Sequence, residues 1–564
     1  MRRDDIFPGT GTRHSPGIVD NGGRTMTPVS RRRLLTGTAA AVGATALAGP
    51  AEAVASGSPA RTRQIRALTV APADVRYSGL TSGQNQLFSS RPEAIRLPNS
   101  TAQVVAAVQE AVTAGKRISV RGGGHCYENF VDHPDVKVII DMSAMRAVAH
   151  DARMRAFSVE GGATLGEMYQ AMFRQWGVTL PGGACYSVGV GGHVTGGGYG
   201  NLSRLHGLVV DYLYAVEVVV VDPDGRARSV IATREADDPN RDLWWAHTGG
   251  GGGTFGVVTR YWFRSPTATG TAPSTLLPAP PSDVLVTWLQ WPWDRLNEAA
   301  FTRLIHNYGL WNEQNSSPTS PYTGLTARLE PGPKTAGSVL LAVQMDTAVP
   351  NAPRLLADFL AAVNDGVGVT PVEYQELHRL PWFQATGWPG FWMSNPTDRY
   401  KYKSSYHRKG LTGEQTAGLY RVLTDSAYDH PAFVVSIAAH GGRVNAVSPT
   451  ATAQPHRDSV LKLLWGTAWG NPSDDAKHFA YIRRAYSTVY ASTGGVPVLN
   501  DVTDGCYINY PDADLTDRVR HNRSGTAWHD LYWKQNYPAL QRAKTRWDQR
   551  NVFHHAQSVR PVGS

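Results

Sequence analysis

The chain has 564 residues, 57 glycines, only three cysteines and a formal net charge of +9. At roughly 100–200 residues per domain, this length allows two to four domains. A composition 41% hydrophobic and 18% charged excludes a disordered or collagen-like chain. Three cysteines with no C-x-x-C pair exclude a disulfide scaffold and offer no thiolate zinc site; no metal is expected.

The first segment reads as an address label. Ser30-Arg31-Arg32-Arg33-Leu34-Leu35-Thr36 is a twin-arginine motif, followed by an Ala/Gly-rich apolar run from Leu34 to Ala48. Ala51-Glu52-Ala53 then gives an A-x-A cleavage signal. The run is shorter than the ~20 residues a spanning helix needs, so no stable membrane anchor is expected. Met26, four residues before the motif, is a candidate translation start. Cleavage after residue 53 would remove seven arginines and four acids and leave +6. That mild excess, without a basic cluster interleaved with aromatics, gives no sign of nucleic-acid binding. The expected destination is secreted or extracytoplasmic, with the twin-arginine export machinery as a transient partner. That route carries folded proteins, often with a cofactor already inserted.

Beyond the label, short strands and helices alternate. Val104, Val105, Val108, Ala111 and Val112 fall at helical spacing in Thr101–Gly115, and Gly115 ends the pattern. Arg117–Val120 and Val136–Ile140 read as strands, Leu165–Trp176 as an amphipathic helix. Ala215–Val221 is a buried strand ending in the turn Pro223-Asp224-Gly225, and Gly256–Phe263 is another strand. The Pro/Thr/Ala/Ser-rich stretch Ser265–Asp283 marks a composition shift and a boundary. Beyond it, strand-like runs at Ala327–Leu329, Ser338–Met345, Phe433–Ile437 and Leu461–Leu464 mix with helices. Trp528–Phe553 is aromatic, basic and mostly helical. The expected fold class is α+β.

The glycines carry the chemical signal. No P-loop is present. Gly251-Gly252-Gly253-Thr254-Phe255-Gly256 fits G-x-G-x-x-G, but it lacks the preceding strand and following helix of a dinucleotide fold. Such runs still permit close backbone approach and offer several N–H donors to an anionic group. Nine of the twenty residues of Pro181–Gly200 are glycine, which no helix or central strand tolerates cheaply. Its irregular Cys185, Val188, His193 and Tyr199 are unlike a polar, repetitive linker. It reads as a wrapper around something flat or charged, with Cys185 beside the ligand. Arg121-Gly122-Gly123-Gly124-His125-Cys126-Tyr127 has the same character.

Four ordered blocks then resemble the berberine-bridge-enzyme-like flavoprotein oxidases, within the vanillyl-alcohol-oxidase type of FAD-binding fold. They are Arg121–His125, Gly183–Gly200, Asp242–Gly256, and a carboxy-terminal set: Tyr507–Leu515, Asn536–Leu540 and Phe553–Ser558. The match runs from about Arg91 to Ser558. It implies a signal peptide over 1–53, a PCMH-type FAD-binding domain of two α/β subdomains over 54–270, and a substrate domain over 271–515. The substrate domain should hold an antiparallel sheet covered by helices. A berberine-bridge-like segment over 516–564 should return to the FAD domain.

The resemblance also assigns residues. In this family FAD is often held by two covalent bonds, here through His125 to the flavin 8α-methyl and through Cys185 to C6. Further cofactor contacts fall on Arg121, Gly122, Gly123, Gly124, Gly183, Val188, Gly189, Gly192, His193, Gly196, Gly197, Gly198 and Asn509. Tyr199 and Tyr510 match tyrosines that face the flavin. Tyr510 is the expected base and Tyr199 its partner, with Tyr507 the competitor for the base role. A phenol of pKa ~10 must drop about three units to be ionised at neutral pH, roughly 4 kcal/mol of environment. A hydrogen bond from a second phenol, plus a cation, would supply part of that. The partners implied are a small-molecule substrate and O2. A glycine at 183 goes with O2 as electron acceptor.

The implied reaction is oxidation of a hydroxyl or C–H bond of a secondary metabolite or glycoside. Hydride passes to flavin N5, and O2 becomes H2O2. The alternatives are an oligosaccharide oxidase, a flavin dehydrogenase using another acceptor, and a non-catalytic flavin-binding protein. Two places depart from the family. His440 stands where a tyrosine commonly precedes two glycines, and reads as a second acid/base group or an ordinary sheet histidine. Lys462–Trp469 lacks polar and tyrosine side chains that often line the pocket. Trp244, Trp245, Trp293, Trp465 and Trp469 read as core or as sugar-stacking platforms. Cys126 and Cys506 read as two buried thiols or a short disulfide.

Overall fold

The computed structural model describes residues 66–387 and 397–564. The twin-arginine and cleavage signals lie outside the described residues. Three sheets make up the architecture. The first has four strands, in the order Leu68–Val70, Ala94–Leu97, Val138–Asp141, Ile118–Arg121. Its last three strands are parallel. The second has five antiparallel strands, in the order Val148–Asp151, Ala156–Glu160, Val257–Phe263, Leu213–Val221, Ala227–Thr233. The helix Thr101–Thr113 packs Val104 and Val108 into a core shared by both sheets. Its end falls where the sequence placed it, with Gly115 at φ +63°.

The helix Leu165–Trp176 shows why local chemistry suffices in places. The Thr164 hydroxyl accepts the Glu167 N–H, and Glu167 reaches back to the Thr164 N–H. This capping box contributes about 1 kcal/mol at the N-terminus. Gly177, left-handed at φ +67°, closes the other end. Leu165, Met168 and Met172 fall on one face and are fully buried.

The third sheet has seven antiparallel strands. Their order is Val372–Pro381, Asp283–Pro292, Ser338–Asp346, Leu325–Pro331, Phe433–Ala439, Leu461–Trp469, Arg399–His407. Across its centre the register aligns Arg328 with Ala438, Ala438 with Lys462, and Lys462 with Tyr406. Strand side chains alternate, so these residues share a face. The opposite face carries Leu329, Ile437, Leu463 and Trp465, all buried. Helices Glu298–Gln314, Ala352–Asn364, Gly413–Leu423 and Asp475–Val489 pack with this sheet.

The four runs named from sequence in this region are all strands. Three other strands escaped that reading. Asp283–Pro292 starts where the Pro/Thr/Ala-rich stretch ends. Val372–Pro381 is an edge strand with Val372, Tyr374 and Leu377 exposed. Arg399–His407 reads RYKYKSSYH, without an apolar alternation to betray it. Beyond Trp528 the chain is helical over Trp528–Trp533 and Tyr537–Trp547, broken at Lys534, φ +48°.

Candidate active site

All three sheets look onto one cavity of about 900 Å³. That is at the upper end for a site holding a cofactor and a substrate. Its wall includes Gly122–Gly124, Gly189, Gly191, Gly192 and Gly251–Gly253, then Tyr199, Tyr507 and Tyr510, then Arg328, Glu330 and Ser436.

The glycines permit a close crossing of two loops. A Cβ on Gly123 would lie 2.3 Å from the Gly189 nitrogen, and one on Gly189 would lie 2.2 Å from the Gly123 nitrogen. Only glycine fits at either position. This crossing brings His125 to the 185–187 segment. Its Nε2 lies 2.9 Å from Ser187 Oγ, which is 3.4 Å from Cys185 Sγ. Burial pushes His125 down to about 4, so the imidazole is neutral at physiological pH.

Other sequence-expected residues hold this wall in place. Arg121 is buried and paired with Asp132, and it also donates to the Leu80 carbonyl. The Gly183 N–H donates to His193 Nε2 at 3.0 Å. The Gly183 carbonyl accepts the Tyr169 hydroxyl at 2.9 Å. Asn509 Nδ2 donates to the His193 carbonyl at 2.8 Å and to the Tyr507 hydroxyl at 2.9 Å, joining the carboxy-terminal block to the 183–200 loop. Val188, Gly189 and Gly192 line the cavity. Gly196, Gly197 and Gly198 sit behind it, packed against Asn509, Gln454 and Val209 respectively.

The opposite wall is aromatic. Lys462 Nζ lies 3.9 Å from the Tyr510 ring centre, 4.4 Å from Tyr199 and 4.6 Å from Tyr507. Tyr127 stacks on Tyr510 at 5.5 Å and lies 4.4 Å from Tyr402. Gly466 makes room for Tyr402, whose ring atom would be 2.3 Å from a Cβ there. Burial pushes Tyr510 up and Tyr199 up to about 12, while Arg328 opposes both. Burial pushes Lys462 well below its usual range. The environment expected for Tyr510 was a hydrogen bond from a second phenol plus a cation. No hydrogen bond joins Tyr199 to Tyr510, and Lys462, shared between the rings, is the basic group beside them.

Arg328 and Glu330 pair at 3.4 Å, and Ser436 Oγ donates to Glu330 at 3.0 Å. This polar ladder faces the cavity beside the tyrosines. His440 lies behind them, 5.4 Å from Tyr199 and 5.3 Å from Tyr406. Burial keeps it neutral, and neither ring nitrogen has a partner. Trp465 and Trp469 point to the far face, onto Tyr486 and His478. Trp244 and Trp293 bond backbone carbonyls of Leu213 and Gly332. These four tryptophans are core.

An ion network ties the two walls. Lys401 pairs with Glu128 and, at 2.8 Å, with Asp512. Lys403 pairs with Asp512 and Asp514, each at 2.7 Å, and Arg483 reaches Asp514. Glu128 follows His125 by three residues, and Asp512 follows Tyr510 by two. No disulfide joins Cys126, Cys185 or Cys506. Burial raises the Cys126 and Cys506 thiols, each up to about 12, and Cys506 donates to the Ser404 carbonyl. The bridge is not formed, and of the two thiols expected to be buried Cys506 is, while Cys126 is half-buried at the cavity wall.

Sequence reasoning missed Lys462, Tyr127, Tyr402, Ser187 and the Arg328–Glu330 pair. The signal for Lys462 was present. It is the one charged residue in an otherwise apolar strand.

This arrangement is a flavin site: a glycine cradle facing a phenolic wall, with substrate room beyond. Comparison with known proteins agrees. Residues 92–230 match the FAD binding domain profile, and residues 506–560 match the berberine and berberine-like profile. Aclacinomycin-N/aclacinomycin-A oxidase of Streptomyces galilaeus is 50% identical over 94% of this chain and 98% of its own length. CrmK, a flavoenzyme of caerulomycin biosynthesis, is 50% identical with a TM-score of 0.86, covering 88% of this chain and 99% of its own. The glycopeptide hexose oxidase DBV29 is 49% identical with a TM-score of 0.83, over 88% and 99%. The chain belongs to the berberine-bridge-enzyme-like family of FAD-linked oxidoreductases.

Proposed function

We propose that this chain is an exported oxidase holding FAD by bonds from both His125 and Cys185. Its substrate would be a glycosylated secondary metabolite, oxidised at a hydroxyl or an adjacent C–H bond with O2 as acceptor. Export rests on Ser30–Ala53. The substrate class rests on relatives named for aclacinomycins and for a glycopeptide hexose, and on a cavity mixing aromatic and polar walls. FAD, when bound, accepts a hydride at N5 and delivers two electrons to O2, giving H2O2.

The carrying observation is Lys462 among three phenols. Lowering Tyr510 to neutral pH takes roughly 4 kcal/mol. Lys462 Nζ lies 3.9 Å from the Tyr510 ring centre, and a unit charge at about that range contributes several kcal/mol at an effective dielectric near 20. Burial, however, opposes an isolated lysinium and an isolated phenolate alike. Both charges arise together when Tyr510 gives up its proton and Lys462 takes one up, each stabilising the other. Tyr510 then takes the substrate proton while Tyr199 and Tyr507 share the cation through their ring faces. Arg328 and Glu330 bind and orient substrate hydroxyls or a sugar amine.

Anaerobic mixing with a panel of glycosylated polyketides, glycopeptides and oligosaccharides tests this. Bleaching of the flavin by a glycosylated metabolite, then peroxide on admitting air, is expected. Bleaching by oligosaccharides alone selects the carbohydrate-oxidase alternative. Bleaching without reoxidation in air selects a dehydrogenase.

A further inference from the structure

The Ser187 hydroxyl reaches both proposed attachment residues, His125 at 2.9 Å and Cys185 at 3.4 Å. A hydroxyl has one proton to donate and two lone pairs. Only one direction of this three-atom chain arms the imidazole. If His125 Nε2–H donates to Ser187 Oγ, the Nδ1 lone pair is free. The Ser187 proton then points at the Cys185 sulfur and holds it in place. In the reverse direction, Cys185 and Ser187 donate in turn to Nε2. The proton then sits on Nδ1 and blocks attack.

We propose that Ser187 is the positioning residue for flavin attachment. It fixes the His125 tautomer through Nε2, so that Nδ1 bonds the 8α-carbon, and it holds the Cys185 sulfur for C6. This rests on the two-bond reading above. In the histidyl step an 8α C–H bond and the imidazole N–H bond break as the N–C bond forms. The two protons and two electrons released pass to O2, giving one H2O2. In the cysteinyl step the C6–H and S–H bonds break and a C–S bond forms, again with one O2 consumed and one H2O2 made.

The loops supply the required rigidity. Ser187 lies two residues before Gly189, whose backbone crosses Gly123 too closely for any side chain. The carbonyl of Ser187 itself would lie 2.6 Å from a Cβ on Gly123. Ser187 and His125 are therefore fixed relative to each other before either touches the flavin. Burial, which keeps the imidazole neutral, supports the same role.

The test compares wild type, Ser187→Ala and Ser187→Thr, each sampled at intervals after expression begins. Total FAD is measured in the native protein, and retained FAD after acid denaturation. Peptide mass spectrometry then assigns each bond. Total FAD should match in all three proteins. Ser187→Ala should acquire its bonds about fivefold more slowly, the scale of one lost hydrogen bond, with the histidyl bond most delayed. Ser187→Thr should restore the rate. Equal attachment rates in wild type and Ser187→Ala would overturn the Ser187 role while leaving the two-bond reading intact. Release of free FAD from denatured wild type would overturn the two-bond reading, and Ser187 with it.

Discussion

Two neighbouring strands each carry buried lysine, with opposite consequences. On Arg399–His407, Lys401 and Lys403 point to the face away from the cavity and meet carboxylates. Glu128, Asp512 and Asp514 surround them, and no charge is left over for chemistry. On Leu461–Trp469, Lys462 points to the cavity face and meets the rings of Tyr199, Tyr507 and Tyr510. The first site is an insulated clamp. The second is an amine held without a carboxylate, which burial keeps from charging alone and so lets it trade protons with the phenols. Residue type is the same; the face of the sheet decides the use.

Substitutions can separate the two sites. Tyr510→Phe should give the largest effect, slowing anaerobic flavin reduction by about 10²–10⁴-fold with FAD still bound. An unchanged rate would move the base role to Tyr507. Lys462→Met should follow. The phenol loses its cation, so the acid limb of the reduction rate should move to higher pH by one unit or more. At a fixed pH on that limb this costs about tenfold per unit. Thermal stability should fall little, because the methionine fits the same apolar strand.

Asp512→Asn should reverse the pattern. Breaking a buried pair costs about 3–5 kcal/mol, so the melting temperature should drop strongly while residual activity per folded, FAD-loaded molecule changes less. Equal melting temperatures for Asp512→Asn and wild type would show that the clamp holds nothing. The network should also set acid stability. Despite burial, Lys403 and Lys401 hold the Asp514 carboxyl below its ordinary value. Its stabilisation is complete above pH ~4, the unfolded value, and is lost as pH falls from there toward the lower folded value. Denaturant titrations at falling pH should show this loss, and Asp514→Asn should flatten it. The smallest effect concerns sulfur. If Cys185 is bonded to FAD, denatured unreduced protein should titrate two thiols, from Cys126 and Cys506.

The glycine wall was legible because its chemistry is local. Gly123, Gly189, His125 and Cys185 lie in short runs whose backbone demands show in composition. The helix Leu165–Trp176 was legible too, through its cap, its spacing and Gly177. The clamp was not. Lys401 and Lys403 make their strand look like a polar loop, and their partners lie more than a hundred residues away in sequence, Glu128 before the strand and Asp512 and Asp514 after it. The Lys462 site failed for a related reason. The strand was read as having lost its polar lining, and one lysine was passed over. Its meaning depends on three tyrosines brought in from two distant loops. Arg328 and Glu330 carry no motif, and only the sheet register puts them beside Tyr510.

Lys462 empowers Tyr510 as base. The most direct measurement is the anaerobic rate of flavin reduction against pH, in wild type and in Lys462→Met, with one bleaching substrate. The acid limb should be displaced upward by one unit or more in the variant, with the two rates converging at high pH. Superimposable limbs would contradict it.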